Sequence, residues 1–198
     1  MTTRLRRIGL TAIVLGIAMV STAAIDATPG LQPERRIWIE GTSSVRSFTC
    51  EAAKVGGKVE TATESLDVAE LDGAVREAEV VVDATTLDCN NGTMNGHMRK
   101  ALKVTEHGTM TFRLTGYEAV AAGAESQVKL NGVLQIAGKE QAISAAAVAT
   151  PAADGGIRVK GSHTIRMTDF GVKPPSLMMG TMKVHDPVRL NFDLVLKP

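Results

Sequence analysis

Apolar and polar residues alternate with a period of two through most of this chain. The clearest short run is 110–115, and longer runs of the same kind cover 128–136, 157–167 and 188–196. Successive side chains of a strand point to opposite faces, so each run predicts a strand with one apolar face. Weaker alternation predicts further strands at 36–40, 45–50, 58–62, 75–84 and 141–149.

Residues that favour turns separate these runs. Gly, Asn, Asp and Pro are concentrated between them, as in AGK at 137–139, PAADGG at 151–156 and HDP at 185–187. Short strands that are separated by turns and have one apolar face are typical of an antiparallel barrel or sandwich. No internal repeat or interdomain linker is visible, so we expect a mainly β fold in a single domain over residues 25–198.

Two segments have a helical rather than a strand pattern. The first is at 95–103. Met98 and Leu102, together with Met94 just before it, fall four residues apart and share one helix face. The second, at 63–71, has apolar residues at Leu66 and Leu71 and predicts another short helix. One or two short helices are therefore expected beside the strands.

The first 24 residues differ from the rest of the chain. Arg4, Arg6 and Arg7 precede an apolar run of 13 residues at 8–20, and small residues follow at 21–24. This order is typical of a cleaved secretory signal peptide, and a spanning helix needs roughly 20 apolar residues. An uncleaved anchor is the alternative. We expect the protein to be periplasmic or secreted.

The net charge and the two cysteines limit the possible functions further. Removing the three N-terminal arginines changes the formal charge from +1 to −2, which leaves no basic surface for nucleic acid. The two cysteines, Cys50 and Cys89, predict a structural disulfide in an exported protein. A metal or redox pair is the alternative, although the chain has no C-x-x-C and neither cysteine has a histidine nearby.

Motifs for catalysis are incomplete. Asp169-Phe170-Gly171 matches the magnesium-binding tripeptide of kinases, but the other kinase motifs are missing. The segment 132–139 has the wrong glycine spacing for a phosphate loop. The chain has no G-x-S-x-G and no H-E-x-x-H, and its four histidines are scattered. We therefore expect no enzyme activity, no cofactor and no metal.

Four longer segments carry a family resemblance. They are GTSSVRSFTC at 41–50, NGHMRKALKVTEHGTMTFRLTGYE at 95–118, LNGVLQIAGKEQAIS at 130–144 and RMTDFGVKPPSLMMGTMKVHDPVRLNFDLVL at 166–196. In order and spacing they resemble the YceI-like family of exported bacterial proteins. The resemblance implies an extended lipocalin-like antiparallel β-barrel that holds a polyisoprenoid or a fatty amide. The chain departs from the family pattern at His107-Gly108, where many members have Tyr-Pro.

A barrel of about eight strands is wide enough to hold one small ligand, provided that its inward side chains leave room. We expect small inward residues at Gly132, Ala142, Ala146 and Gly161, and methionines that adapt to an apolar chain. The predicted partner is a long-chain isoprenoid or fatty ligand, and a homodimer is left open. The expected ligand-binding residues are Trp38, Phe48, Met94, Met98, Leu102, Met110, Phe112, Leu114, Leu134, Met167, Phe170, Leu177, Met178, Met179 and Met182.

The methionines allow two other interpretations. Thioether and imidazole groups are soft ligands, so a Cu(I)-handling protein is the alternative function. One candidate set is Met178, Met179, Met182 and His185, and a second is Met94, His97 and Met98. Ordinary core packing under a long loop is the other interpretation.

Overall fold

The computed structural model describes residues 30–31, 35–63, 65–177 and 181–197. The predicted signal peptide, Met178 and Met179 lie outside these residues. Most of the described chain is strand. The strands are β1 Gly30–Leu31, β2 Arg36–Ser43, β3 Ser47–Ala52, β4 Val55–Thr61, β5 Val75–Asp83, β6 Leu87–Asp88, β7 Thr109–Ala122, β8 Glu125–Ile136, β9 Lys139–Pro151, β10 Ile157–Arg166, β11 Ser176–Leu177 and β12 Met182–Lys197.

The strands form one antiparallel sheet that curls into a barrel, which confirms the predicted fold class. Ten strands follow one hydrogen-bonded order, β4-β5-β7-β8-β9-β10-β12-β2-β3-β6. The short strands β1 and β11 both pair with β12 outside this order. The expected number of about eight strands was therefore too low. Long neighbouring strands such as β7, β8 and β9 are joined by tight turns, so their pairing is local in sequence.

The two ends of the strand order meet at a bent hairpin, in which β3 and β4 form one arm and β5 and β6 form the other. Only residues 53–54 separate β3 from β4, and the short 3-10 turn Ala84–Thr86 separates β5 from β6. Across this bend the Ala53 amide donates to the Thr86 carbonyl, and the Asp83 amide donates to the Lys54 carbonyl. As β3 pairs with both β2 and β6, the two ends of the curled sheet come together here.

The predicted turns were right in two places and wrong in one. At Ala137 and Gly138 the backbone φ angles are 48° and 77°, which makes a two-residue hairpin turn between β8 and β9. Residues 151–156 contain the 3-10 turn Ala153–Gly155. The HDP segment, however, lies inside β12. There the pairing with β2 shifts register between Val184 and Val188, so the proline sits at an irregularity rather than at a turn.

A plug segment, defined here as residues 62–63 and 65–74, packs across the barrel end away from the helix. It contains the 3-10 turn Val68–Glu70 and not the helix predicted at 63–71. The Tyr117 hydroxyl donates to the Leu71 carbonyl and accepts from the Val75 amide at 2.9 Å. Ser126, which is buried, donates to the Val68 carbonyl at 2.6 Å. These tertiary bonds hold the segment in a form that its apolar spacing did not reveal.

The opposite end is covered by helix α1, Gly92–Leu102, which confirms the first predicted helix. Asn91 caps it by accepting a hydrogen bond from the Met94 amide at 3.0 Å, and Lys103 ends it in the left-handed conformation. No residue of α1 is fully buried, so the helix lies on the barrel mouth rather than within the core. None of the described helices has the length and apolarity to cross a bilayer.

A disulfide between Cys50 and Cys89 ties β3 to the segment just before α1, as predicted. Asn95 adds a second tether, because its side chain accepts from the Cys89 amide at 2.8 Å and donates to Asp88 at 2.7 Å. The bond from Asn95 lowers the pKa of Asp88. The N-terminal half of α1 is therefore fixed to the barrel wall.

The inward and outward faces of β9 are exchanged relative to the prediction. Ala145, Ala147 and Ala149 are buried, at 3%, 5% and 0% exposure, whereas Ala142 and Ala146 face outward. Gly132 and Gly161 do lie against inward-facing side chains, as expected. A run of alanines has nearly the same residues on both faces, so a shift of one position goes unnoticed in the sequence.

Removing the disulfide should destabilise the barrel. For a cross-link that spans 39 residues, the chain-entropy model gives about 4 kcal/mol. We expect the double variant Cys50→Ala/Cys89→Ala to lose free energy of unfolding by about this amount in urea titrations. Reductant should produce a similar loss in the unaltered protein and none in the double variant. A loss below about 1 kcal/mol would show that the cross-link does not restrict the unfolded chain.

Candidate ligand-binding site

The barrel interior holds a cavity of about 190 Å³, here called the inner chamber. Its walls come from strands all around the barrel, and the surface that they expose to it is apolar. Ile37, Val80, Ile143 and Leu194 represent four different strands of this wall. Leu71 lines the chamber on the plug side. The chamber thus lies inside the curled sheet, between the inward faces of its strands.

A second cavity of about 300 Å³ lies between α1 and the barrel mouth and is here called the helix-side chamber. Met94, Met98 and Leu102 line it from the helix, and the Cys50–Cys89 disulfide forms part of its wall. Met98 Sδ lies 3.8 Å from Cys89 Sγ. The helix face predicted from the spacing of its apolar residues is therefore the face that covers this chamber.

The two chambers adjoin. Ile39, Met110, Ile136 and Leu190 line both of them, so the boundary between the chambers is made of apolar side chains. Along β8 the lining extends from Val128 to Ile136, which is eight strand rises, or roughly 27 Å. A site of this length suits an extended chain better than a compact molecule.

Most of the predicted ligand-binding residues are brought together here. The inner chamber is lined by Met110, Phe112, Leu114 and Leu134. The helix-side chamber is lined by Phe48, Met94, Met98, Leu102, Met110, Met167, Phe170 and Met182. The sequence did not single out Ile37, Ile39, Val59, Val80 or Ile143, although each belongs to an alternating run that was recognised.

Four of the predicted residues are not placed at the chambers. Trp38 lies outside both, under the Arg36 guanidinium at 4.8 Å from its ring centroid, and its indole donates to Glu40 at 3.1 Å. This corrects the expectation that Trp38 faces the lumen. It occupies the polar face of β2, where a cation covers its ring. Leu177 pairs with Met182 through its backbone, while Met178 and Met179 lie outside the described residues.

Three of the four phenylalanines rest on glycines of a neighbouring strand. A Cβ atom added at Gly41 would overlap the Phe48 ring, and one added at Gly132 or Gly161 would overlap Phe112 or Phe192. The absence of a side chain lets each ring pack closely against the glycine of the neighbouring strand. All three rings line a chamber, so these glycines keep bulky aromatic groups from filling the space.

Polar residues belong to the walls of both chambers, and those of the inner chamber are Thr111, Tyr117, His163 and Asn191. Ser43, Arg46, Asn91, Thr93 and His97 line the helix-side chamber. Of these, His97 was named only in the alternative copper set, and the other four were not predicted. Among the described residues, His97 Nδ1 is the one buried side-chain nitrogen or oxygen without a hydrogen-bond partner. An isolated histidine in a sequence carries no signal for such a position. Only the packing of α1 on the barrel reveals it.

The Asp-Phe-Gly tripeptide has a structural role. Asp169 forms a bidentate pair with Arg166 at 3.0 and 3.1 Å, Phe170 is 2% exposed, and Gly171 has a φ of 67°. The turn also depends on Asp186, which accepts bonds from the Thr168 hydroxyl and amide. The bond from the Thr168 hydroxyl lowers the pKa of Asp186. This network positions Met167 and Phe170 in the chamber wall.

The two candidate sets of copper ligands differ in whether their described side chains lie together. Met182 lines the helix-side chamber, but His185 is exposed and its Nδ1 lies 2.8 Å from the Thr42 hydroxyl. These two residues therefore belong to opposite faces of β12. Met94, His97 and Met98 do share the helix-side chamber. Among the described residues, no three His, Cys, Asp or Glu side chains converge as metal ligands would.

An antiparallel barrel with an apolar interior defines the lipocalin-like class of binding folds. Within it, the chain belongs to the YceI-like family, whose domain it matches over residues 38–196. No curated protein matches the sequence.

Solved structures share the fold at low sequence identity. BcnA of Burkholderia cenocepacia superposes with a TM-score of 0.64 at 20% identity, covering 81% of this chain and 95% of BcnA. A polyisoprenoid binding domain from Saccharophagus degradans superposes with a TM-score of 0.66 at 14% identity, covering 85% and 97%. The YceI protein of Campylobacter jejuni gives 0.59 at 18% identity, covering 75% and 84%.

Filling the space under a phenylalanine should disturb the chamber. Gly41→Ala places its methyl against the Phe48 ring, with no backbone atom among the nearest contacts, so this ring in the chamber wall must shift. We expect a loss of about 1–3 kcal/mol in the free energy of unfolding, as is usual for overpacking. Calorimetry or urea titration measures it.

Gly116→Ala is the matched control, because a Cβ atom there meets nothing within 4 Å. Its stability should change by about 0.5 kcal/mol or less. Shortening the ring in Gly41→Ala/Phe48→Leu should recover part of the loss. Equal stability of Gly41→Ala and Gly116→Ala would contradict the assigned packing.

Proposed function

We propose that this protein is an exported carrier that holds a long apolar chain, a polyisoprenoid or a related lipid, inside the barrel. The observation that carries the proposal is the pair of adjoining chambers, which are apolar and extended along the strands. The family and the polyisoprenoid binding domain of similar fold support the same class of ligand.

The energetics favour recognition of a tail. Burying one methylene contributes about 0.8 kcal/mol, so a five-carbon isoprene unit contributes roughly 3 kcal/mol. A few such units exceed the several kcal/mol lost on association. Binding through the chain alone is therefore sufficient, and the apolar surface of the inner chamber matches it.

Export is the second part of the proposal. The basic, apolar and small residues at 1–24 have the order of a signal peptide. The Cys50–Cys89 disulfide favours an oxidising compartment such as the periplasm. Binding without catalysis is supported by the lack of any convergent nucleophile, base and oxyanion donors in the sequence motifs.

The direct test is native mass spectrometry of the exported protein, purified without detergent, followed by solvent extraction of whatever it carries. We expect an adduct that extracts as a long-chain lipid. A protein without any adduct, or one that carries stoichiometric copper, would overturn the carrier function.

A paired substitution on β9 tests where the chain lies. Ala145→Phe directs a ring into the inner chamber, whereas Ala146→Phe directs the same ring outward. If the ring displaces two methylenes of the ligand, the affinity should fall by about 15-fold, which corresponds to about 1.6 kcal/mol. Lipid recovered per mole of protein measures the effect. An equal lipid content in the two variants would place the ligand outside the barrel.

A further inference from the structure

The two ends of the barrel differ in charge. The segments 43–47, 88–108 and 166–186, which lie at the mouth near α1, contain seven lysines and arginines against four acids, a formal charge of +3. The described part of the plug contains three acids, Asp67, Glu70 and Asp72, all exposed, and no lysine or arginine. The formal charge of +1 for the whole chain conceals this separation. Such a separation orients a protein in front of a charged surface.

Three of the cations at the mouth lie on the outer face of α1. The inner face, with Met94 and Met98, lines the helix-side chamber. Arg99, Lys100 and Lys103 fall on the opposite face of the helical repeat, and all three are exposed. Within the described part of the chain, none of the three forms an ion pair. Their charges are therefore available to a partner outside the barrel.

The barrel side of the mouth continues the same charge. Arg46 lies in the turn between β2 and β3, next to Val45, which is 65% exposed. The Ser44 amide donates to the Lys183 carbonyl at 2.9 Å, so this turn and the start of β12 lie together. Lys173 lies in the segment before β11, and like Arg46 and Lys183 it is exposed and pairs with no described carboxylate. Basic side chains beside an exposed apolar one are typical of proteins that bind an anionic bilayer.

The acids at the mouth offset only part of this charge. Asp169 is neutralised by Arg166, which is not one of the exposed, unpaired cations. Asp88 and Asp186 accept hydrogen bonds from neighbouring side chains, and Arg99 interacts with Asp88 only beyond ion-pair distance. The fourth acid of these segments, at position 106, is exposed. Six unpaired cations therefore face three acids at this end.

The helix-side chamber reaches the surface within this basic region. Arg46, Asn91 and Thr93 are exposed and also line the chamber, which places the approach between the β2–β3 turn and the start of α1. A long apolar chain is very poorly soluble in water, so a carrier has to exchange it with a membrane or with another protein. Cations around the approach would bring it to a negatively charged surface.

We infer that the mouth of the barrel docks on an anionic lipid bilayer, with the acidic plug turned away from it. The docking surface, here called the basic mouth, consists of Val45 and the cations Arg46, Arg99, Lys100, Lys103, Lys173 and Lys183. Val45 favours a bilayer over an acidic protein, because an exposed apolar side chain can enter the headgroup region. This inference rests on the proposed carrier function and goes beyond it by naming the surface at which the chain is exchanged.

Sedimentation with vesicles tests the inference. The exported protein is mixed with sucrose-loaded vesicles of phosphatidylcholine alone, or of equal parts phosphatidylcholine and phosphatidylglycerol, and the bound fraction is measured at low and at high salt. We expect binding to the anionic vesicles and much weaker binding to the neutral ones. Binding should decrease as salt is added, because exposed charges are screened.

Two triple variants assign the binding to the basic mouth. Arg99→Gln/Lys100→Gln/Lys103→Gln keeps good helix formers and should lower the affinity for anionic vesicles by about fivefold for each cation, or roughly 100-fold in all. The matched control, Arg76→Gln/Lys160→Gln/Arg189→Gln, removes the same charge from exposed positions on strands away from the mouth and should lose less than about fivefold.

A variant on the barrel side covers the case in which the helix variant does not fold. Arg46→Gln/Lys183→Gln should lower the affinity for anionic vesicles in the same direction, by about 25-fold. Equal binding to the two kinds of vesicle, or equal losses in the helix variant and its matched control, would overturn docking through the basic mouth.

Uptake of a long-chain prenyl alcohol from ethanol, measured in parallel, separates this inference from the carrier function. A protein that takes up the alcohol but does not bind anionic vesicles overturns the docking and leaves the carrier function standing. An acidic protein would then be the partner of the basic mouth. If no alcohol is taken up, the carrier function fails and the inference fails with it.

Discussion

Closure of the sheet at the bent hairpin is the constraint on which the rest of this structure depends. The strand formed by β3 and β4 changes partners along its length, pairing first with β2 and β6 and then with β5. This one bent strand therefore connects the two ends of the strand order. Because the sheet curls in this way, the inward faces of the long strands share one apolar interior.

An interior of this kind need not be hollow, and the side chains decide whether it is. Alanines on β9 and glycines beneath Phe48, Phe112 and Phe192 keep the walls thin. Small barrels are commonly filled by their own side chains, which increases stability. Here the interior is not filled, so the barrel lacks that stabilisation. The disulfide across the mouth offsets part of the loss. A bound apolar chain would restore the missing contacts.

The sequence predicted the fold well where the two faces of a strand differ in polarity. On β8, β10 and β12 the alternation identified both the strand and its inward residues. On β9 the alanines gave no contrast, so the faces were exchanged. Trp38 was misplaced for a related reason, since its large apolar ring favoured the interior while the Arg36 side chain covers it outside. The plug and the polar groups near His97 depend on tertiary contacts, for which no local pattern exists.

The plug also sets the order in which a bound chain can leave. Tyr117 and Ser126 hold the plug across one end of the barrel, and the helix-side chamber lies at the other end under α1. A bound chain that leaves under α1 must slide along the apolar wall over the length that it occupies. Residence time would then grow with the length of the cargo, even when its head group is unchanged. A bound long chain would then be retained by slow release as well as by affinity.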